Sequence, residues 1–137
     1  MDQQINKGDI YRHEFSFTQN DLVTFASAFG DQNPIHLDPE SAKRTIFGRT
    51  IVHGFLGAGI FSKVFWTIYP GNGTIYLKQD LSFFKPIFTQ EKYTAVFEIL
   101  ETYPEKNRAE IKTSIITEND EIDIDGLALI KHPSIIK

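Results

Sequence analysis

The sequence lacks cysteine altogether and contains a single methionine and a single tryptophan among its 137 residues. The absence of cysteine excludes disulfide bonds, thiolate nucleophiles and cysteine-ligated metal centres. No apolar run approaches the roughly 20 residues of a membrane span, and the start, MDQQINKGDI, has neither the basic flank nor the apolar stretch of a signal peptide. We therefore expect a soluble, cytoplasmic protein with no membrane partner.

Positive charge is also scarce, since 14 Lys and Arg stand against 18 Asp and Glu and leave a net charge of −4. Non-specific nucleic-acid binding draws its affinity from many Lys and Arg, so we expect no nucleic-acid partner. The histidines show no HExxH or comparable spacing, which predicts no metal site. The glycine-rich segments match neither a P-loop nor a dinucleotide-binding fingerprint, which predicts no nucleotide cofactor.

What the chain does have is enough apolar material for one core, because 41% of its residues are hydrophobic and 12 of them are phenylalanines. A chain of this length fits a single domain over residues 1–137. Residues 9–17 alternate in polarity as a half-buried strand does. Residues 20–29 have helical spacing, with Thr18 as N-cap and Gly30 as the stop. The turn-forming stretch 30–34 and its continuation into residues 35–37 predict irregular backbone.

A second group of elements follows from residue 38 onward. Asp38 and Pro39 predict a short helix, because proline is favoured at the first helical position. Residues 53–66, HGFLGAGIFSKVFW, predict an almost wholly apolar helix. Its glycines each cost about 1 kcal/mol of helix stability relative to alanine, so they favour close approach to another surface, most simply a sheet. Such a helix requires burial on every side.

The second half of the chain is rich in β-strand patterns. Four strands are predicted, at residues 74–84, 92–102, 108–117 and 121–130. Short polar separators between them favour antiparallel hairpins. Together with the first strand they predict an α+β fold in which an antiparallel five-stranded sheet wraps around the long buried central helix.

Asp31 and His36 are the first candidates for chemistry, because they are five residues apart across a turn that contains Pro34. Both side chains can point into one cavity and form a catalytic dyad. Taken alone the pattern is weak, since Asp, Asn and Pro are ordinary turn residues and a single histidine is more often structural.

Two longer sequence segments favour the catalytic interpretation of Asp31 and His36. FGDQNPIHLDPESA at residues 29–42, followed by IVHGFLGAGIFS at residues 51–62, resembles the MaoC-like group of R-specific 2-enoyl-CoA hydratases and related hydroxyacyl thioester dehydratases. The most specific part is Gly-Asp-x-Asn-Pro-x-His, from Gly30 to His36. The resemblance implies the hotdog fold, with Asp31 and His36 holding and activating a water. It also implies that the backbone amide of Gly54 contacts the thioester carbonyl.

Other residues have two interpretations each. Ser62 is a polar residue near the site by the resemblance, or bonds its own backbone. Asn33 bonds His36 or closes the turn, and the turn is favoured. His53 faces the mouth of the site or caps the helix, and capping is favoured. The basic residues Lys43, Arg44 and Arg49 bind coenzyme A phosphates or form a solvated surface.

The predicted function is the reversible hydration of a trans-2-enoyl-CoA to an (R)-3-hydroxyacyl-CoA, with the coenzyme A thioester as substrate and no cofactor. Alternatives are a hydroxyacyl dehydratase acting on acyl carrier protein and a non-catalytic acyl-thioester-binding protein. A thioesterase is disfavoured, because such hotdog enzymes use a carboxylate near the central helix and residues 53–66 contain none. The resemblance further implies a homodimer or a dimer of dimers, and symmetric pairing is also the common default.

Overall fold

One antiparallel sheet dominates the computed structural model, which describes residues 4–134 and 136. Within these residues the sheet has six strands in the order β1-β4-β5-β6-β2, and β3 also pairs with β6. The strands are β1 Ile10–Phe15, β2 Ile75–Gln79, β3 Ser82–Phe83, β4 Tyr93–Tyr103, β5 Arg108–Ile116 and β6 Ile122–Lys131. The predicted antiparallel hairpins of the second half are confirmed, since β4 pairs with β5 and β5 with β6.

The predicted strand at residues 74–84 is interrupted, so the sheet has six strands rather than five. Its two parts, β2 and β3, both pair with β6 on either side of Asp80. At this break the side chain of Asp80 replaces a main-chain hydrogen bond to β6, because its Oδ1 accepts from the Leu127 N–H at 2.9 Å. Opposite it, Gly126 lies so close to the Asp80 carbonyl that any Cβ there would overlap it.

Three short helices connect β1 to the central helix. The first, α1 Gln19–Phe29, has the predicted ends: Thr18 and Asp21 form a capping box, and Gly30 ends the helix in the left-handed conformation. Next come α2 Pro34–Leu37 and α3 Pro39–Lys43. The expectation of irregular backbone at residues 35–37 is wrong, because Pro34 begins a helical turn and Asn33 caps it.

The long helix α4, Gly54–Thr67, packs one face against the inner side of the sheet. Phe61 and Phe65 both meet Phe97 of β4 edge to face. A Cβ at Gly57 would lie 3.2 Å from Ile87, which accounts for the glycine as a point of close approach. The opposite face is exposed, with Phe55 69% accessible, so the expectation of burial on every side is not met within this chain.

The core between α4 and the sheet is built from alternate residues of the strands. In β4, Tyr93, Ala95, Phe97 and Ile99 are buried and their neighbours are less so. Of the single domain predicted over residues 1–137, residues 1–3, 135 and 137 lie outside the described part, and the domain count stays a prediction. Among the described residues, no helix combines the length and the apolar character needed to cross a membrane.

Candidate active site

The structure brings Asp31 and His36 together across the turn between α1 and α2. Gly30 ends α1 with a φ of 83°, which reverses the chain direction before Asp31. Pro34 then starts α2, and His36 lies in that helical turn. The result is a separation of 3.9 Å between Asp31 Oδ2 and His36 Nε2. The dyad is therefore assembled by two adjacent helix ends.

A hydrogen bond to the main chain determines which nitrogen of the His36 ring carries the hydrogen and which one can accept. Nδ1 lies 2.8 Å from the carbonyl oxygen of Ile51, and because a carbonyl only accepts, Nδ1 carries the hydrogen. The lone pair is then on Nε2, the atom nearest Asp31. The side chain of His36 is 12% exposed and that of Asp31 is 51% exposed, so the pair lies at the boundary between core and solvent.

The gap of 3.9 Å has a chemical meaning. It is longer than the usual hydrogen-bond distance of about 2.7–3.2 Å, so the two side chains are not directly bonded. A single water about 2.8 Å from each atom reaches both of them with a nearly right-angled arrangement. The arrangement is suited to holding one water between two acceptors.

His53 is the third member of the cluster, and it is almost completely buried, with 2% of its surface exposed. Its ring stacks on that of His36 with centroids 3.9 Å apart. Its Nε2 lies 3.1 Å from the main-chain oxygen of Asp31. His53 occupies the N-cap position of α4, but its side chain makes no capping hydrogen bond, so side-chain capping does not account for it.

Supporting residues that the sequence did not indicate come from α1 and from the segment before α4. The Gln19 side chain donates to the main-chain oxygen of His36 at 2.8 Å and accepts from the Thr50 hydroxyl at 2.8 Å. Phe25 lies against His53, with ring centroids 4.8 Å apart. None of these residues belongs to the motif, and no local pattern points to them, because each contact joins distant parts of the chain.

Gly54 follows His53 directly and is the first residue of α4. The N–H groups of a helix's first turn have no partner within the helix and carry the positive end of its dipole. A Cβ on Gly54 would lie 3.1 Å from the Phe83 ring, so the glycine keeps this space narrow but open. The geometry is compatible with an amide that binds a carbonyl oxygen.

A largely apolar cavity of about 740 Å³ lies between α1 and α4, and neither Asp31 nor His36 lines it. Ser62 lines it, as do Phe25 and Phe29 from α1 and Phe55 from α4. Phe25 is the link to the dyad, because the same ring contacts His53. The cavity therefore reaches the His53 ring through Phe25 and does not contact the two catalytic candidates directly.

The remaining predicted site residues have local partners. Asn33 Oδ1 accepts from the Ile35 N–H at 3.0 Å, which is the turn-closing role. Lys43 pairs with Glu40 on the surface at 3.1 Å, and Arg44 is exposed at the end of α3. Arg49 is 2.9 Å from Glu91 and lies 4.6 Å from the Phe88 ring centroid. These contacts favour a structural role for Arg49 over a free phosphate-binding role.

Asp31, His36 and His53 also form a group of possible metal ligands among the described residues. One donor atom from each lies within 4.8 Å of the other two. The two imidazoles are stacked at an angle of 25°. Stacked rings direct their in-plane lone pairs along nearly parallel lines, whereas a tetrahedral metal needs them to converge. The stacking therefore disfavours a tetrahedral centre that uses both histidines, and the expected absence of a metal stays a prediction.

Among the ionisable groups of the sheet, the partly buried His13 and the buried Asp123 have displaced pKa values. Burial lowers the pKa of His13, and the nearby Lys63 lowers it further. Burial raises the pKa of Asp123, whose Oδ1 makes no hydrogen bond with the described residues. Neither residue adjoins the dyad in the contacts above, so we interpret both as structural features of the sheet.

Comparison with known proteins bears directly on this site. The family described as MaoC like domain matches residues 2–121, which is most of the chain and includes the dyad, Gly54 and Ser62. The chain belongs to the MaoC-like family. The resemblance noted from the motif is thereby confirmed.

Several relatives match nearly the whole chain, and two of them are similar to it at 37–38% identity. A 3-hydroxybutyryl-CoA dehydratase of Methylorubrum extorquens is 38% identical over 132 residues, which are 96% of this chain and 82% of the relative. An (R)-specific enoyl-CoA hydratase of Aeromonas caviae is 37% identical over 131 residues, 96% of this chain and 98% of the relative.

Solved structures agree with the fold. An (R)-hydratase from A. caviae superimposes with a TM-score of 0.90 at 37% identity, covering 96% of this chain and 99% of that one. An R-hydratase from Pseudomonas aeruginosa in its unliganded form gives a TM-score of 0.89 at 36% identity, covering 94% and 83%. The predicted hotdog fold is therefore confirmed.

Proposed function

We propose that this protein is an R-specific enoyl-CoA hydratase, which reversibly adds water to a trans-2-enoyl-CoA to give an (R)-3-hydroxyacyl-CoA. The broader class follows from the family, because hydratases and dehydratases are hydro-lyases and the chain matches both kinds over 96% of its length. The protein is thus an enzyme of the hydro-lyase class. The roles of individual residues are part of the proposal.

The separation of Asp31 Oδ2 and His36 Nε2, which one water beside the two atoms can bridge, is the observation that carries the proposal. Asp31 Oδ2 and His36 Nε2 are 3.9 Å apart, and the Ile51 carbonyl leaves the Nε2 lone pair free to accept. A water between two acceptors donates both hydrogens to them and turns its oxygen lone pairs away. Such a water is oriented for attack on an electrophilic carbon placed opposite the dyad.

The chemical step requires no other reactant. The water oxygen bonds to C3, one of its protons passes to Asp31, and the electrons of the C2–C3 double bond move to the thioester oxygen as an enolate. The proton then passes from Asp31 to C2 and the carbonyl re-forms, while the second hydrogen stays on the new hydroxyl group. His36 orients and polarises the water during this step.

The enolate oxygen needs fixed hydrogen-bond donors during that step. The backbone N–H of Gly54 is at the start of α4, three residues after Ile51, which forms an isolated bridge with Phe88. Its helix dipole favours negative charge, and preorganised amides of this kind are usually a large part of catalysis in such reactions. The absence of a side chain allows the thioester to approach.

The acyl group occupies the apolar cavity between α1 and α4. The volume of about 740 Å³ lies within the usual range for small-molecule sites. Ser62 offers one polar contact in this cavity, and the phenylalanines supply the apolar surface. For the coenzyme A phosphates we propose Arg44 and Lys43, which are exposed, with Lys43 exchanging its surface partner Glu40 for a phosphate. Arg49 is less suitable, because both Glu91 and the Phe88 ring hold it.

We include a homodimer in the proposal, or a dimer of dimers. Its support is the apolar surface that a single chain leaves uncovered: Phe55 on α4, and Leu77 on the edge strand β2.

A dehydratase of hydroxyacyl groups on acyl carrier protein is the second candidate, since a relative of that name from Arabidopsis thaliana is 29% identical over 131 residues. The alternative of a non-catalytic acyl-thioester-binding protein is not supported, because the relatives that match nearly the whole chain are hydratases and dehydratases. The cytoplasmic location stays a prediction.

The test is a direct assay of the purified protein with crotonyl-CoA and longer enoyl-CoA esters. Hydration removes the absorbance of the conjugated thioester, and chiral analysis identifies the product. We expect rapid loss of absorbance and the (R)-3-hydroxyacyl-CoA. No reaction with any CoA ester but dehydration of a hydroxyacyl carrier protein would favour the second candidate. Formation of the S product, or binding without turnover of either thioester, would contradict the proposal.

A further inference from the structure

His53 has more contacts with the dyad than any role in helix capping explains. It is 2% exposed, and its side chain makes no capping hydrogen bond although it stands at the N-cap of α4. Its ring is enclosed by His36 on one side and by Phe25, with centroids 4.8 Å apart. The His53 side chain is therefore held in place, and it in turn contacts both Asp31 and His36.

The first contact anchors the main chain of Asp31. His53 Nε2 is 3.1 Å from the Asp31 carbonyl oxygen, and because that oxygen only accepts, Nε2 donates. The Asp31 carboxylate is half exposed, and its hydrogen bond from the Asn33 N–H is long, at 3.4 Å. The position of the carboxylate thus depends largely on where the main chain of residue 31 is held.

The second contact fixes the plane of the His36 ring. One edge of His36 is bonded to the Ile51 carbonyl at 2.8 Å. A single hydrogen bond leaves the ring free to tilt about that edge. The stacked His53 ring covers one face at 3.9 Å between centroids and 25° between planes, which restricts this tilt.

We propose that His53 is a positioning residue of the hydratase, which holds Asp31 Oδ2 and His36 Nε2 at a separation that one water molecule can bridge. The inference rests on the proposed function and extends it. His53 itself does not touch substrate, because its remaining nitrogen, Nδ1, is buried and makes no hydrogen bond with the described residues. It acts through its two neighbours, whose misplacement by about 1 Å is expected to cost on the order of 10² in rate.

Three variants separate the two contacts. His53→Phe keeps a flat ring for stacking and removes the donor, His53→Gln keeps a donor and removes the ring, and His53→Ala removes both. His132→Gln is the matched control, because His132 is also buried, at 4% exposure, and its Nε2 lies 2.9 Å from the carbonyl of Asn72, away from the dyad. Unfolding curves establish that each variant is folded.

The expected kinetic result with crotonyl-CoA is a loss in kcat with little change in KM. His53→Ala should lose about 10²-fold in kcat, and the Phe and Gln variants should lie between it and wild type, since each keeps one contact. His132→Gln should keep the wild-type kcat. A folded His53→Ala with wild-type kcat, or a loss confined to KM, would overturn the proposal. If His53→Ala does not fold, the two larger variants decide by the same criteria.

Nitrogen NMR of the histidine rings provides a readout that does not depend on turnover. The chain has four histidines, so the spectrum is simple to assign. We expect wild-type His36 to show hydrogen on Nδ1 only, and His53→Ala to shift its two nitrogens toward averaged values. An unchanged His36 spectrum would contradict the positioning role. This readout also separates the two hypotheses, because an inactive wild-type protein would refute the hydratase while leaving the positioning contact testable.

Discussion

The segment of residues 30–54 and the sheet strands β4 to β6 are held by different kinds of interaction. The segment is held by single side-chain hydrogen bonds, some local, such as Asn33 to Ile35, and some between distant residues, such as Gln19 to His36. Its sheet pairing is one isolated bridge, from Ile51 to Phe88. The strands have long continuous ladders over buried apolar residues. Substitutions in the first region should therefore change activity, and substitutions in the second should change stability.

The dyad should give the largest effect of this comparison. Asp31→Asn replaces the proton-accepting carboxylate by an amide of nearly the same shape, and His36→Gln removes the imidazole lone pair, so each should lower kcat about 10²–10⁴-fold. Because Asp31 is half exposed, its loss should change the free energy of unfolding by less than about 0.5 kcal/mol. Enoyl-CoA kinetics and thermal unfolding measure the two quantities. A soluble Asp31→Asn with nearly full activity would end the assignment.

The opposite pattern is expected for Phe97 in the core of β4. Its ring is fully buried and meets Phe61 and Phe65, so Phe97→Ala should lower the free energy of unfolding by about 3–5 kcal/mol. The fraction that stays folded should keep its KM. The control is Ile10→Ala on β1, which is exposed and should cost less than about 0.5 kcal/mol. Denaturant unfolding compares them, and equal losses would contradict the proposed core.

Two glycines three residues apart on α4, Gly54 and Gly57, test within one helix whether the site controls activity and the core controls stability. Gly54→Ala places a Cβ 3.1 Å from the Phe83 ring at the thioester-binding amide, and should lower kcat/KM about 10-fold or more. Gly57→Ala places one 3.2 Å from Ile87 in the core, and should cost about 1–3 kcal/mol of stability through overpacking. Activity loss in both variants with no loss of stability in either would show that the two positions do not differ as described.

The smallest effect concerns Asp123 and depends on pH. Burial raises its folded pKa, so the charged form destabilises the fold at neutral pH, and this cost disappears as pH falls below the unfolded value. Asp123→Asn should therefore raise the midpoint of thermal unfolding at neutral pH, and the gain should shrink in acid. Circular dichroism across pH measures this. A gain of equal size at every pH would contradict an electrostatic origin.

The sequence predicted most of the fold because its signals were local. The alternation of β4 and the caps of α1 at Thr18 and Gly30 depend on neighbouring residues, and both are confirmed. The break between β2 and β3 was missed because it depends on Asp80 bonding to Leu127, 47 residues away. The exposed face of α4 was missed because its apolar composition does not tell which side meets the sheet of the same chain.

The site shows the same division. The motif named Asp31 and His36, and the structure brings them together, although their catalytic roles stay a proposal. The contact of Gln19 with His36 spans 17 residues and follows from no pattern in the sequence. Arg49 was a candidate for phosphate binding because a sequence cannot show Glu91, 42 residues later, beside it.

The most direct test of the account is the kcat of the double variant Asp31→Asn/His36→Gln beside the two single variants. If the two side chains hold one water together, either substitution alone already removes its function, so the double variant should be no slower than the slower single variant. Losses that multiply in the double variant would mean that Asp31 and His36 act independently. That result would contradict a shared water between them.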